Sequence, residues 1–196
     1  RVVVEARGIF DPVPTGRLAP VFRLADRLHV RTRPSTIRRH MLLAAGQPWT
    51  EARSQESERA LRALDIFNVV RVGGQPSGDS VVATVWTRDA WTTSPEFSLE
   101  RGGSQLYGSI QFSERNLFGR AQQIGFSYRE DPTGVSRSIE LADPGVDGTR
   151  VRFAASASGG SSGTINNLAV GIPFYAEDTP LSFGVRAGRA NTTARL

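Results

Sequence analysis

From Phe97 onward the chain alternates apolar and polar residues with a period of two, a repeat that fits strands and excludes helices. Phe97 and Leu99 alternate with Ser98 and Glu100. Leu106, Gly108, Ile110 and Phe112 alternate with Gln105, Tyr107, Ser109 and Gln111. The pattern recurs at Ile124–Phe126–Tyr128, Ile139–Leu141, Val151–Phe153–Ala155–Ala157, Leu168–Val170–Ile172–Phe174 and Leu181–Phe183–Val185–Ala187, which makes roughly seven segments. Turn sequences such as Asp131-Pro132-Thr133-Gly134 and Asp143-Pro144-Gly145 separate them at the spacing of an antiparallel meander. Gly159-Gly160-Ser161-Ser162-Gly163 reads as a flexible loop.

Alternation alone fits a soluble β-sandwich and a membrane β-barrel alike. Two details point to the membrane. The polar positions carry Glu, Arg, Gln and many Gly, which suits a wet lumen. Tyr107, Phe118, Tyr128, Phe174 and Tyr175 fall near segment ends, where aromatic girdles lie. No apolar run reaches the 18 residues of a membrane-spanning helix, a test that barrel strands also fail. Seven strands are an odd count, and an open edge in lipid leaves main-chain groups unpaired at several kcal/mol each. The natural protein is therefore expected to extend past Leu196 and before Arg1.

Residues 1–90 read differently. Val2 to Phe10 is a strand, and Asp11 to Gly16 a turn-rich break. Leu18 to Val30 reads as a short amphipathic helix. Residues 32–64 read as a helix pair, with Thr32 as N-cap before Pro34, Ile37, Met41 and Ala45 on one face, and Gly46 at the stop. Thr50 caps the second helix, whose Ser57, Leu61 and Leu64 share a face and whose Glu58 and Arg62 form an i, i+4 pair. A strand Phe67–Val72, a loop 73–79 and a return strand Ser80–Thr87 follow. The order β-α-α-β-β implies an α+β layer of two helices on a three-stranded sheet.

Little chemistry is available to this sequence. It has no Cys, and its two histidines, His29 and His40, read as ordinary polar positions; no cofactor, metal or catalytic residue is expected. The net charge is +5 and all 24 basic residues are Arg, but they are spread along the chain without a basic run, so no nucleic-acid partner is expected.

The segments Thr32-Arg33-Pro34-Ser35-Thr36-Ile37-Arg38-Arg39, Gly46-Gln47-Pro48-Trp49, Glu58-Arg59-Ala60-Leu61-Arg62-Ala63-Leu64 and Phe67 resemble the POTRA pattern. Glu114-Arg115-Asn116-Leu117-Phe118-Gly119 resembles the E-x-N-L-F-G turn early in barrels of the BamA/TamA family of outer-membrane assembly factors. Two positions depart from the pattern: Asp65 stands where a glycine is usual, and residues 11–31 look like an insertion. The resemblance implies an α+β POTRA-type domain over residues 1–90 and, over 91–196, an all-β antiparallel meander that is an incomplete transmembrane β-barrel. It implies a non-enzymatic protein of the Gram-negative outer membrane, with its first domain in the periplasm. Its implied partners are the lipid bilayer and unfolded outer-membrane proteins or periplasmic proteins. A client segment would add by β-augmentation to the strand of Phe67, Val69, Val70, Arg71 and Val72. The first barrel strand, Phe97, Ser98, Leu99, Glu100, Arg101, Gly102 and Gly103, would form the seam with the last strand. A two-partner-type secretion pore, or a structural barrel, are the alternative roles.

Overall fold

The computed structural model describes residues 1–176 and 179–192. The chain divides into two compact units. Of the described residues, the first comprises Arg1–Trp91 together with Asn116–Ala121 and residues 175–176, and the second Thr92–Arg115, Gln122–Phe174 and residues 179–192.

The first unit runs β1 (Val2–Arg7), α1 (Ala19–Leu28), α2 (Pro34–His40), α3 (Glu51–Arg62), β2 (Phe67–Ser77) and β3 (Ser80–Asp89). The sheet order is β1-β3-β2, with β1 parallel and β2 antiparallel to β3. Ile37 of α2, Leu61 of α3, Leu64, Ile66, Val70, Val72 and Val85 form the buried core. The helix α3 forms as expected: the Thr50 hydroxyl accepts from Arg53 N at 3.2 Å, and Ser54, Ser57 and Leu61 are buried along one face.

Three local expectations are corrected. The cap of α2 is Arg33 rather than Thr32, and the helix stops at His40, so Met41 and Ala45 lie outside it. Met41 is extended instead and the chain bends at Leu42, which lays both Met41 and Leu43 in the core while Leu42 N donates to Ser57 Oγ at 3.0 Å. The expected loop 73–79 is strand as far as Ser77, with a two-residue turn at Gly78-Asp79. Gly73 and Gly74 mark close approach rather than a bend: a Cβ on Gly73 would lie 3.0 Å from the Trp86 ring, and one on Gly74 2.7 Å from Trp49. Asp65 holds a left-handed φ of 55°, a conformation that Asp tolerates better than most residues.

The second unit is one seven-stranded antiparallel meander: β4 (Thr93–Gly102), β5 (Gln105–Leu117), β6 (Gln122–Asp131), β7 (Gly134–Asp143), β8 (Arg152–Gly160), β9 (Gly163–Ile172) and β10 (Phe183–Thr192). Sequence neighbours pair throughout, and the sheet is open at β4 and β10. Gly103 lies in the β4–β5 turn rather than in the strand, with Gly102 opposite Gln105. The expected flexible loop 159–163 is the end of one strand, a two-residue turn at Ser161-Ser162 and the start of the next. Among the described residues no helix is long and apolar enough to cross a membrane, which says nothing about strands.

Candidate functional site

The turn after β5 folds into the first unit. Asn116 is fully buried. Its amide donates to Thr32 Oγ1 at 2.9 Å and to Val30 O at 3.3 Å, and its Oδ1 accepts from Ala121 N at 3.0 Å. Gly119 O accepts from Arg33 N at 3.0 Å and from Thr36 Oγ1 at 2.9 Å. Phe118, Gly119 and Ala121 all have positive φ, and Ala121 is buried in the core cluster. The Asn side chain, the Gly at φ 71° and the small Ala each meet a distinct steric or bonding demand. Thr32 is also held from β3, its N–H donating to Asp89 Oδ2 at 2.9 Å; His29 Nε2 lies 3.0 Å from the same oxygen, and both side chains are almost fully buried. His29 is therefore a structural partner, joined to a residue 60 positions away by contacts that no local pattern announces. Glu114, at the start of the motif, acts within the second unit, accepting from Thr92 Oγ1 at 2.7 Å and from the Thr93 hydroxyl.

The small sheet has two edges. The strand expected to receive a client, Phe67 to Val72, is an edge strand, but three of its outward main-chain groups are occupied from α3. Arg62 Nη2 donates to Val70 O at 3.0 Å, Ser54 Oγ donates to Val72 O at 2.8 Å, and Val72 N donates to Glu58 Oε1 at 2.8 Å. Further along the same edge Pro76 has no N–H to offer. Side-chain cover and proline are recognised ways of blunting an edge. The other edge is β1. The bond from Ala83 N to Arg1 O, with the parallel register, turns the main chain of Arg1, Val3 and Glu5 toward β3. Val2, Val4 and Ala6 are left facing outward, with no main-chain partner among the described residues.

The seven-stranded sheet has two unlike faces. Directly paired residues share a face, so Gln123, Ala142, Ala154, Ala169 and Arg186 form one row, and Gly125, Glu140, Ser156, Asn167 and Gly188 the next. These rows line a pocket of about 610 Å³ on the polar face. Short side-chain bonds cross it: Ser98 Oγ to Ser109 Oγ at 2.8 Å, Ser127 Oγ to Ser138 Oγ at 2.8 Å, and Asn167 Nδ2 to Ser156 Oγ at 3.3 Å. The opposite face carries Phe97, Leu99, Ile110, Phe126, Ile139, Leu141, Leu168, Val170, Phe183 and Val185, all exposed. Among the described residues, no large apolar side chain of this unit is buried.

In the expected seam strand, Phe97, Leu99 and Arg101 lie on the apolar face, with Phe97 84% exposed. Ser98, Glu100 and Gly102 lie on the polar one. Tyr107 is paired with Glu100 on the polar face, so it is not part of an outward girdle. Tyr128 shares the apolar face with Phe126.

No protein-family model matches the chain. Outer envelope protein 80, chloroplastic, of Arabidopsis thaliana is 29% identical over 150 residues, which is 72% of this chain. The protein of the same name from Oryza sativa subsp. japonica is 28% identical over 131 residues, or 62% of this chain. The chain spans about a fifth of the length of these curated relatives, 20% of each. The crystal structure of BamA from Haemophilus ducreyi lacking POTRA domains 1–3 matches 95% of this chain and 34% of that one, with a TM-score of 0.57 and 15% identity. The chain thus shares its fold with a stretch of a BamA structure and is similar in sequence to a segment of two chloroplast outer envelope proteins.

Proposed function

We propose that residues 1–90 are a POTRA-type periplasmic domain and that β4–β10 are the first strands of an outer-membrane β-barrel. The whole protein would serve in insertion or translocation of outer-membrane proteins, without catalysing a covalent reaction. The observation that carries this reading is the unburied apolar face of β4–β10. A sandwich in water would cover that face with a second sheet, since apolar area is worth about 25 cal/mol per Å² when withdrawn from water. A bilayer covers it without one, and the polar face with its pocket then borders a wet lumen. The likeness to a BamA structure and to outer envelope proteins supports the same reading. The test is fractionation of the full-length natural protein with gel mobility before and after boiling. The expected result is an outer-membrane protein whose band shifts on heating; a soluble protein with no shift overturns the barrel.

The client strand is proposed to add by β-augmentation, where main-chain hydrogen bonds supply affinity without sequence preference. The open row of Val2, Val4 and Ala6 favours β1 over the Phe67–Val72 edge, where α3 already holds three main-chain groups. Ala6 is exposed and its N–H faces outward, so Ala6→Pro removes one donor without opening the core. Photo-crosslinking of unfolded outer-membrane precursors to β1 is expected to fall several-fold in this variant. Crosslinks that stay unchanged, or that map to β2, reject β1 as the acceptor.

The free edge of β4 is proposed as the seam that meets the last strand of the complete barrel. A disulfide engineered between Leu99 and that last strand is expected to abolish client insertion, with recovery on reduction. Full activity in the oxidised form would show that the seam stays shut during function.

A further inference from the structure

Four of the seven large apolar side chains left exposed in the first unit lie together. Leu18, Val21, Leu24 and Leu28 are 57–68% exposed and share one arc of α1 and its first turn. The adjoining arc is already used. Phe22 meets Phe10 edge-on with ring centroids 4.9 Å apart, and His29 reaches Asp89. The helix is thus fixed to its unit by one side and presents a second apolar stripe outward. Charge around the stripe is one-sided: residues 12–50 contain seven Arg and a single acid, Asp26, which lies 3.4 Å from Arg31. Arg17, Arg23 and Arg27 border the stripe and are exposed.

A leucine stripe beside arginines is what an interfacial helix needs. The leucines enter the headgroup–acyl boundary while the guanidinium groups meet lipid phosphates and their stems cover apolar surface. Only Ala90, Trp91 and Thr92 separate β3 from β4, a link of at most about 14 Å. With β4 in a bilayer, this link tethers Asp89, the end of β3, within that distance of the strand.

We infer that α1 is a membrane-docking helix that rests its Leu18–Val21–Leu24–Leu28 face on a phosphate-bearing, preferably anionic, phospholipid surface. This inference rests on the barrel reading above, and the experiment separates the two. The full-length protein, in a cysteine-free background, carries an environment-sensitive fluorophore at Leu24→Cys, Gln55→Cys or Leu168→Cys. It is reconstituted in vesicles of brominated phosphatidylcholine, with and without phosphatidylglycerol. The expected result is quenching at 168 and 24 but not at 55, with quenching at 24 stronger when phosphatidylglycerol is present. Arg23→Glu with Arg27→Glu should remove that lipid dependence. In a second variant, with the fluorophore again at Leu24→Cys, Leu28→Glu should lower the docked-to-undocked ratio of α1 about tenfold, as expected for withdrawing one leucine. Quenching at 168 without quenching at 24 overturns the docking helix and leaves the barrel intact. So does a blue shift at 24 that appears without lipid quenching: it assigns the stripe to a second copy if it fades on dilution, and to a protein partner if it does not. Absence of quenching at 168 overturns the barrel, and the docking inference falls with it.

Discussion

Gly119→Ala is expected to destabilise the first unit by about 3–5 kcal/mol, near the upper end for a single substitution. Two costs combine. The residue sits at φ 71°, which is unfavourable for any side chain by about 1 kcal/mol. The added Cβ would also lie 2.3 Å from Arg31 O, far inside contact distance, and the obstacle is backbone that cannot rotate away. Nor can the turn slide, because Gly119 O is held by both Arg33 N and Thr36 Oγ1. Gly46→Ala is the control: its φ is 85°, but nothing lies within 4 Å of its Cβ position, so only the conformational cost of about 1 kcal/mol applies. Amide exchange of the full-length protein reads the difference. Protection at Ile37 and Ala121 should collapse in Gly119→Ala and hold in Gly46→Ala. Equal losses in both would mean that the turn is not locked against residues 31–36.

A charge on the apolar face is expected to cost nearly as much. Leu168 lies mid-strand in β9 and faces outward, while its neighbour Asn167 faces the pocket. If β4–β10 span a bilayer as proposed, Leu168→Arg would place a guanidinium mid-strand against lipid, a change worth about 2–4 kcal/mol near the midplane of a barrel. Asn167→Arg adds the same group to the wet side and should cost less than about 1 kcal/mol. Urea titration of the reconstituted full-length protein should show a large fall in midpoint for the first and little change for the second. A soluble sandwich would also penalise Leu168→Arg, but it would tolerate urea titration without lipid, which the account does not allow.

What can be read from the sequence follows from the range of the forces. The seven strands and the faces of β4–β10 depend on alternation, a local signal that breaks at a few positions: Ile165 pairs with Ser158 on the polar side, and Arg101 and Arg137 lie on the apolar one. The Thr50 cap and the buried face of α3 are local as well. The motif Glu114–Gly119 is recognisable as a turn, but nothing near it says that Asn116 bonds to Thr32 across 84 residues or that Ala121 joins a core made by residues 37–85. The cover on β2 is equally hidden. Glu58 and Arg62 look like an ordinary i, i+4 pair, yet each also binds an outward group of β2, which is what moves the proposed client edge to β1. Gly73 and Gly74 mislead because glycine marks both turns and close approaches, and only the positions of Trp86 and Trp49 decide between them.

A membrane barrel requires that one face of β4–β10 meet lipid and the other meet water. Nitroxide labels at residues 167, 168, 169 and 170 of the reconstituted full-length protein test it directly, through collision with oxygen, which concentrates in lipid, and with a nickel chelate, which stays in water. High oxygen and low nickel contact are expected at 168 and 170, and the reverse at 167 and 169. Low contact with both probes at 168 and 170 would place that face under a second sheet, and high nickel contact at all four would place it in water; either result contradicts a membrane barrel.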